Sequence, residues 1–119
     1  IAPYFWVLRH GEGRTGITVH VMAPELDVGP ILRQREVEIH PDDTSLGLQL
    51  RLARAGGEEL LSAIVGMPGT LEDAREQDLS DRSYFTWPTP ADVSALRLRG
   101  RRLASAADYR ELARMIRED

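Results

Sequence analysis

The run Ile17-Thr18-Val19-His20-Val21-Met22 constrains the fold more than any other stretch. Side chains on an extended chain alternate between two faces, so a period of two marks a half-covered strand. Ile17, Val19 and Val21 fall on one face; Thr18, His20 and Met22 fall on the other. Ile31 to Ile39 reads as a second strand, with Gln34, Glu36 and Glu38 on one face and Val37 and Ile39 on the other. Between them, Ala23 to Pro30 holds two prolines and Gly29, which break the pattern. Strands this close in sequence pair most simply as antiparallel neighbours joined by a long loop.

Helical signals surround the pair. Pro3 suits a first helical turn, because its missing N–H is an orphan there anyway. Tyr4 to Arg9 would follow, ended by Gly11 or Gly13, with Tyr4, Phe5 and Trp6 as a core anchor. Pro41-Asp42-Asp43-Thr44 leads into a longer helix that Thr44 or Asp43 caps. Leu46, Leu50, Ala53, Gly57, Leu60 and Ile64 share the expected inner face, widened by Leu48, Leu52 and Leu61. Gly56-Gly57 marks a kink or a close backbone approach. Residues 66 to 90 read as irregular. Thr89-Pro90-Ala91-Asp92 and Ser105-Ala106-Ala107-Asp108 have the form of capping boxes opening two short helices. Val93 and Leu96 are expected to face inward from the first, and Tyr109, Leu112 and Ile116 from the second. The fold class is α/β: a β-hairpin, an amphipathic helix and two short C-terminal helices.

Length and composition exclude several chemistries. A chain of 119 residues fits one domain. It has no cysteine, which removes disulfides, thiolate metal sites and thiol nucleophiles. All 15 basic residues are arginine, so no lysine is present for a Schiff base or a P-loop; asparagine is absent too. No apolar run reaches membrane-spanning length, and the start has no basic-then-apolar leader pattern. A net charge of −4 gives no overall footprint for nucleic acid.

The connection between the strands carries two carboxylates, Glu25 and Asp27, beside Gly29 and Pro30. A carboxylate on a loop held by strands is a common acid or base; the plain alternative is a turn with an Asx hydrogen bond. His20 lies mid-strand, either hydrogen-bonded to a neighbour or functional. His10 ends a short helix, where a cation suits the dipole, and His40 precedes a turn. The three histidines form no i, i+4 pair, so no metal site is expected. Arg97, Arg99, Arg101 and Arg102 form a basic cluster, read either as a solvated face or as a contact for phosphate.

The segments Thr15-Gly16-Ile17-Thr18-Val19-His20-Val21-Met22, Leu26-Asp27-Val28-Gly29-Pro30-Ile31-Leu32 and Asp43-Thr44 resemble, in order and spacing, the folate-dependent formyltransferase family. The family includes methionyl-tRNA, glycinamide ribonucleotide and sugar N-formyltransferases. The resemblance covers about Pro3 to Ile64; beyond residue 66 it is limited to Ser83-Tyr84-Phe85 and Pro88-Thr89. It implies formyl transfer from 10-formyltetrahydrofolate to an amine, using an Asn, a His and an Asp. Asp27 matches that Asp, and Ala23, Pro24, Glu25 and Leu26 match the segment whose backbone holds the pterin ring. Pro24 has no N–H, so its backbone can only accept there. The family's Asn and His belong to an earlier N-x-H-x-S-L-L-P stretch, which has no counterpart here.

Residues 1–66 are therefore expected to be the second half of a formyltransferase catalytic domain, with 67–119 a linker and short helices of the same domain. Attack by an amine on the formyl carbon builds an oxyanion, and losing a donor that stabilises one costs ~10²–10³ in rate. Asp27 supplies only proton handling and orientation, so the chain alone is expected to be inactive. The implied partners are the folate, an amine acceptor and either a missing N-terminal half or a second copy; nucleic acid enters only if the acceptor is tRNA. No membrane contact is expected, and the location is expected to be cytoplasmic. The alternative is a non-catalytic module that binds a protein or RNA.

Overall fold

A computed structural model describes residues 2–80 and 83–118. The elements run α1 (Pro3–Arg9), β1 (Arg14–His20), β2 (Ile31–Glu38), α2 (Ser45–Val65), α3 (Gly69–Glu72), α4 (Pro90–Leu98) and α5 (Ala106–Arg117). They form two compact units: Ile1–Thr15 with Glu38–Arg51 and Tyr84–Asp119, and Gly16–Val37 with Leu52–Ser83.

β1 and β2 form a two-stranded sheet. Its antiparallel ladder continues at one end through Val21 N–H to the Pro30 carbonyl, 2.9 Å, and at the other through Ile39 N–H to the Gly13 carbonyl, 3.0 Å. β1 thus begins three residues before the predicted start and ends at His20, leaving Met22 exposed. Backbone pairing, not apolar alternation, recruits Arg14 to Gly16. Gly16 helps because a Cβ there would lie 2.9 Å from the Arg35 carbonyl oxygen. Among the described residues, β1 has no strand on its other edge. The free edge of β2 is bridged at its start, where Ile31 and Arg75 exchange backbone hydrogen bonds of 2.6 and 3.0 Å.

In the first unit, α1 begins with Pro3 and ends in a Schellman motif. Gly11 has φ +73°, its N–H reaches the Leu8 carbonyl, and Glu12 N–H reaches Val7. α4 ends the same way on Gly100, φ +76°, with bonds to Arg97 and Leu96. Both predicted capping boxes are present, Thr89 with Asp92 and Ser105 with Asp108. Thr44, rather than Asp43, caps α2 by accepting from Gly47 N–H at 2.9 Å. The two preceding N–H groups, of Ser45 and Leu46, are satisfied by the carbonyls of Arg102 and Leu103. Four helical donors need outside partners, and three find them here. Phe5, Leu8, Ile39, Leu48 and Leu96 are buried.

The second unit buries smaller side chains, Ala55 and Ala63. The inner face of α2 runs through Leu48, Leu52, Ala55, Glu59 and Ala63, the second and fourth half-buried. This corrects the predicted stripe: Ala53, Gly57, Leu60, Leu61 and Ile64 are exposed. Ion pairs take the place of leucine packing. Arg33 and Arg35, on one face of β2, reach Glu59 at 2.9 Å and Glu58 at 2.7 Å. The helix also passes unbroken through Gly56-Gly57, and a Cβ on either would meet nothing within 4 Å, so neither the kink nor the close approach occurs. In α5, Leu112 is half-buried as expected, but Tyr109 and Ile116 are exposed. The irregular stretch after residue 66 contains α3, too short to show a period.

Candidate functional site

The connection between β1 and β2 turns back on itself at Gly29. A Cβ there would overlap the Val21 carbonyl oxygen, so only glycine admits this return. Gln77 holds the same point from outside, donating to the Gly29 carbonyl at 2.6 Å. Asp27 sits on the turn with φ +60°, a left-handed conformation that Asp tolerates better than most residues. Its side chain is 83% exposed.

The return brings Asp27 to His20. His20 Nε2 lies 3.7 Å from Asp27 Oδ1, with the imidazole 26% exposed. His20 Nδ1 is 2.9 Å from the Val21 carbonyl oxygen. A carbonyl only accepts, so Nδ1 carries a proton and Nε2 is the nitrogen presented to the carboxylate. A charged imidazolium pairs with Asp27 directly. A neutral ring accepts at Nε2, from a proton on Asp27 or from a water. The pair can thus hold and pass one proton at a solvent-facing turn.

Two residues considered separately in the sequence, His20 and Asp27, are brought together. Ala23 is half-buried, Pro24 and Glu25 are exposed, and Leu26 is exposed on the same turn. Gln77 was missed, because nothing local in Glu76-Gln77-Asp78 signals a contact 48 residues away. The left-handed backbone at Asp27 was likewise invisible in the sequence.

The other candidates lie elsewhere. His10 belongs to an aromatic cluster with Trp6 and Phe85. The His40 N–H donates to Asp43 Oδ2 at 2.7 Å. Asp43, the first member of the Asp-Thr pair, is held by Arg51 through contacts of 2.8 and 2.5 Å. Burial pushes its carboxyl upward, but the Arg51 hydrogen bonds, the His40 N–H and the Arg51 charge outweigh this and hold it below 3.8. The role of Asp43 here is to anchor the entry to α2. Arg101 donates to the carbonyls of His40 and Pro41, at 2.5 and 2.9 Å, while Arg97, Arg99 and Arg102 are exposed. Among the described residues no cluster of three His, Cys, Asp or Glu stands ready for a metal. No helix among them is long and apolar enough to cross a membrane.

Comparison with known proteins places the chain in a family. The model of the formyl transferase family matches residues 1–64. A methionyl-tRNA formyltransferase from Anaeromyxobacter sp. (strain K) is 37% identical over 109 residues, covering 83% of this chain and 35% of that protein. An N-formyltransferase from Helicobacter canadensis, solved with folinic acid and dTDP-3-aminofucose, superposes with a TM-score of 0.59 at 22% identity, over 71% of this chain and 32% of that one. A sugar 3N-formyl transferase, solved with dTDP and 5-N-formyl-THF, superposes with a TM-score of 0.62 at 21% identity, over 71% and 31%. The chain spans about a third of the length of these proteins. The matches favour the enzyme family over a non-catalytic module. With more than half of its length matched by that model, the chain belongs to the formyl transferase family.

Proposed function

We propose that the chain is part of a folate-dependent formyltransferase that moves a formyl group from 10-formyltetrahydrofolate to an acceptor amine, of the methionyl-tRNA or amino-sugar type. The observation that carries the reading is the 3.7 Å approach of His20 Nε2 to Asp27 Oδ1 at the turn that bears the family's Asp. As the amine nitrogen bonds to the formyl carbon and the bond from that carbon to N10 of the folate breaks, Asp27 takes the proton the amine loses, His20 orients the carboxylate and shares that proton, and it passes on to N10 so that tetrahydrofolate leaves. The backbone of Ala23, Pro24, Glu25 and Leu26 provides the edge for the pterin, with Pro24 contributing only its carbonyl. The turn is solvent-facing, which suits a site that admits a large cosubstrate.

Residues 1–66 act as the second half of the catalytic domain, and 67–119 continue the same domain. The Asn and the further His come from polypeptide outside these residues, since the chain has no Asn. Two features support association with such a segment or with a second copy: the outer edge of β1, which has no neighbouring strand among the described residues, and the exposed Leu60, Leu61, Ile64 and Val65 of α2. A cytoplasmic location fits a folate-using enzyme.

The test is kinetic, in the full-length enzyme that carries this chain. Asp27→Asn keeps the shape and removes the charge, and is expected to lower kcat by ~10²-fold or more. Glu25→Gln is expected to change it by less than ~5-fold. Near-normal turnover by the Asp27→Asn enzyme overturns the assignment.

A further inference from the structure

An exposed turn does not by itself hold a carboxylate at a fixed distance from an imidazole. Asp27 is 83% exposed and its backbone is left-handed. Its distance to His20 is therefore set by what fixes the ends of the turn. On the β1 side, Val21 N–H donates to the Pro30 carbonyl at 2.9 Å. On the other side the support comes from far along the chain.

Residues 75–77 run antiparallel beside the start of β2, where Ile31 and Arg75 exchange backbone hydrogen bonds. Two residues further along this register, Gln77 stands opposite Gly29. Carbonyls of an extended chain alternate in direction, so that of Pro30 faces β1 and that of Gly29 faces Gln77. The Gln77 side-chain amide donates to the Gly29 carbonyl at 2.6 Å. Gln77 is half-buried between exposed Glu76 and Asp78, and Gly29 is buried. The segment is itself anchored to both strands: Arg75 Nη2 donates to Gln34 Oε1 at 2.6 Å, and Gln34 Nε2 donates to Thr18 Oγ1 at 3.2 Å. All of these residues belong to the second unit.

Gly29 transmits the contact to the site. Its other side lies against the Val21 carbonyl, so near that a Cβ would overlap the oxygen, and that Cβ would lie 3.4 Å from His20 Nδ1. The same carbonyl accepts the Nδ1 proton of His20 at 2.9 Å, which leaves Nε2 for Asp27. Gly29 is also only two residues from Asp27. One backbone position thus bears on both members of the pair, and Gln77 is the side chain that holds it.

We propose that Gln77 is a positioning residue for the Asp27–His20 pair: its amide holds Gly29 against Val21, which fixes the turn that carries Asp27 and the carbonyl that sets the proton of His20. The effect on turnover rests on the formyl-transfer reading above; the effect on His20 does not.

The test uses the full-length enzyme that carries this chain. Gln77→Met keeps the reach of the side chain and removes the donor. At saturating folate and amine its kcat is expected to fall ~10-fold or more, since small displacements of reacting groups cost that much. Arg33→Gln breaks the ion pair to Glu59 in the same unit; as the control for lost stability it is expected to keep kcat within ~2-fold. Added to Asp27→Asn, Gln77→Met is expected to lower kcat by less than ~2-fold more, because residues that act as one unit are not additive. Imidazole nitrogen NMR, with His20 identified by the signals lost in His20→Gln, is expected to show the Nδ1–H tautomer in the parent and a mixture in Gln77→Met. If Gln77→Met does not fold, Gln77→Glu, whose ionised carboxylate cannot donate, replaces it. Normal kcat in the folded variant, an unchanged His20 tautomer or full additivity with Asp27→Asn overturns the proposal. Near-normal turnover by Asp27→Asn alone overturns the formyl-transfer role of the site instead, and the His20 signals then still decide whether Gln77 sets the imidazole.

Discussion

Thr44 Oγ1 donates a 2.7 Å hydrogen bond to Asp108 Oδ2, joining the start of α2 to the start of α5 across 64 residues. The same carboxylate accepts from Ser105 N–H at 2.5 Å, and the same hydroxyl accepts from Gly47 N–H at 2.9 Å. One side-chain pair therefore caps two helices.

That pair makes stability depend on pH. Burial raises the Asp108 carboxyl, but hydrogen bonds from Thr44 and Ser105, with the Arg102 charge, prevail and hold it below 3.8. Asp43 is held low as well, by Arg51 and the His40 N–H against burial. A depressed native pKa contributes stability that is present above the unfolded value and lost as pH falls through the native one. Urea midpoints are expected to be flat from about pH 7 to 5 and to fall below about pH 4, near the unfolded carboxylate value. Asp43→Asn combined with Asp108→Asn should lower the midpoint at pH 7 and flatten its acid limb. An unchanged acid limb would show that other groups govern it.

Glycines at two positions should respond in opposite directions. Gly29→Ala drives a methyl into the Val21 carbonyl and is expected to cost about 1–3 kcal/mol as an overpacked contact. Gly57→Ala adds a methyl to open space in a helix interior and is expected to gain about 1 kcal/mol. Parallel urea denaturation of both variants measures the contrast, and equal effects would refute it.

The isolated 119-residue chain is expected to be catalytically silent, because the roles proposed for Asp27 and His20 cover only a proton, and the chain has no Asn amide for an oxyanion. Assay with 10-formyltetrahydrofolate and a panel of amines tests this. Turnover comparable to that of a full-length family enzyme would overturn it.

The legible parts of the fold are the local ones. The capping boxes at Thr89 and Ser105 join residues three apart, and the strand alternation at Ile17 and Val19 needs only neighbours. The inner face of α2 was misread because leucines surround the helix, while the decisive partners of Glu58 and Glu59 lie 23 and 26 residues away on β2. In α5 the bond from Thr44 draws Asp108 inward, which turns Tyr109 and Ile116 to solvent. At the site, Asp27 was marked by its place beside Leu26 and Gly29. Its approach to His20 depends on a left-handed backbone that no residue pattern announces.

The first unit is assembled from three stretches of chain, the last beginning at Tyr84. During synthesis its opening stretch, with Phe5 and Leu8, waits for α4 and α5 to leave the ribosome. About 100 residues separate Thr15 from the end of α5 at Arg117, so at ~5–20 residues per second the wait is on the order of 5–20 s. Gly16–Val37 and Leu52–Ser83 are complete before that interval closes. The aromatic opening stretch therefore spends several seconds with only part of its native unit, Glu38–Arg51, available, and in that window chaperone capture competes with folding.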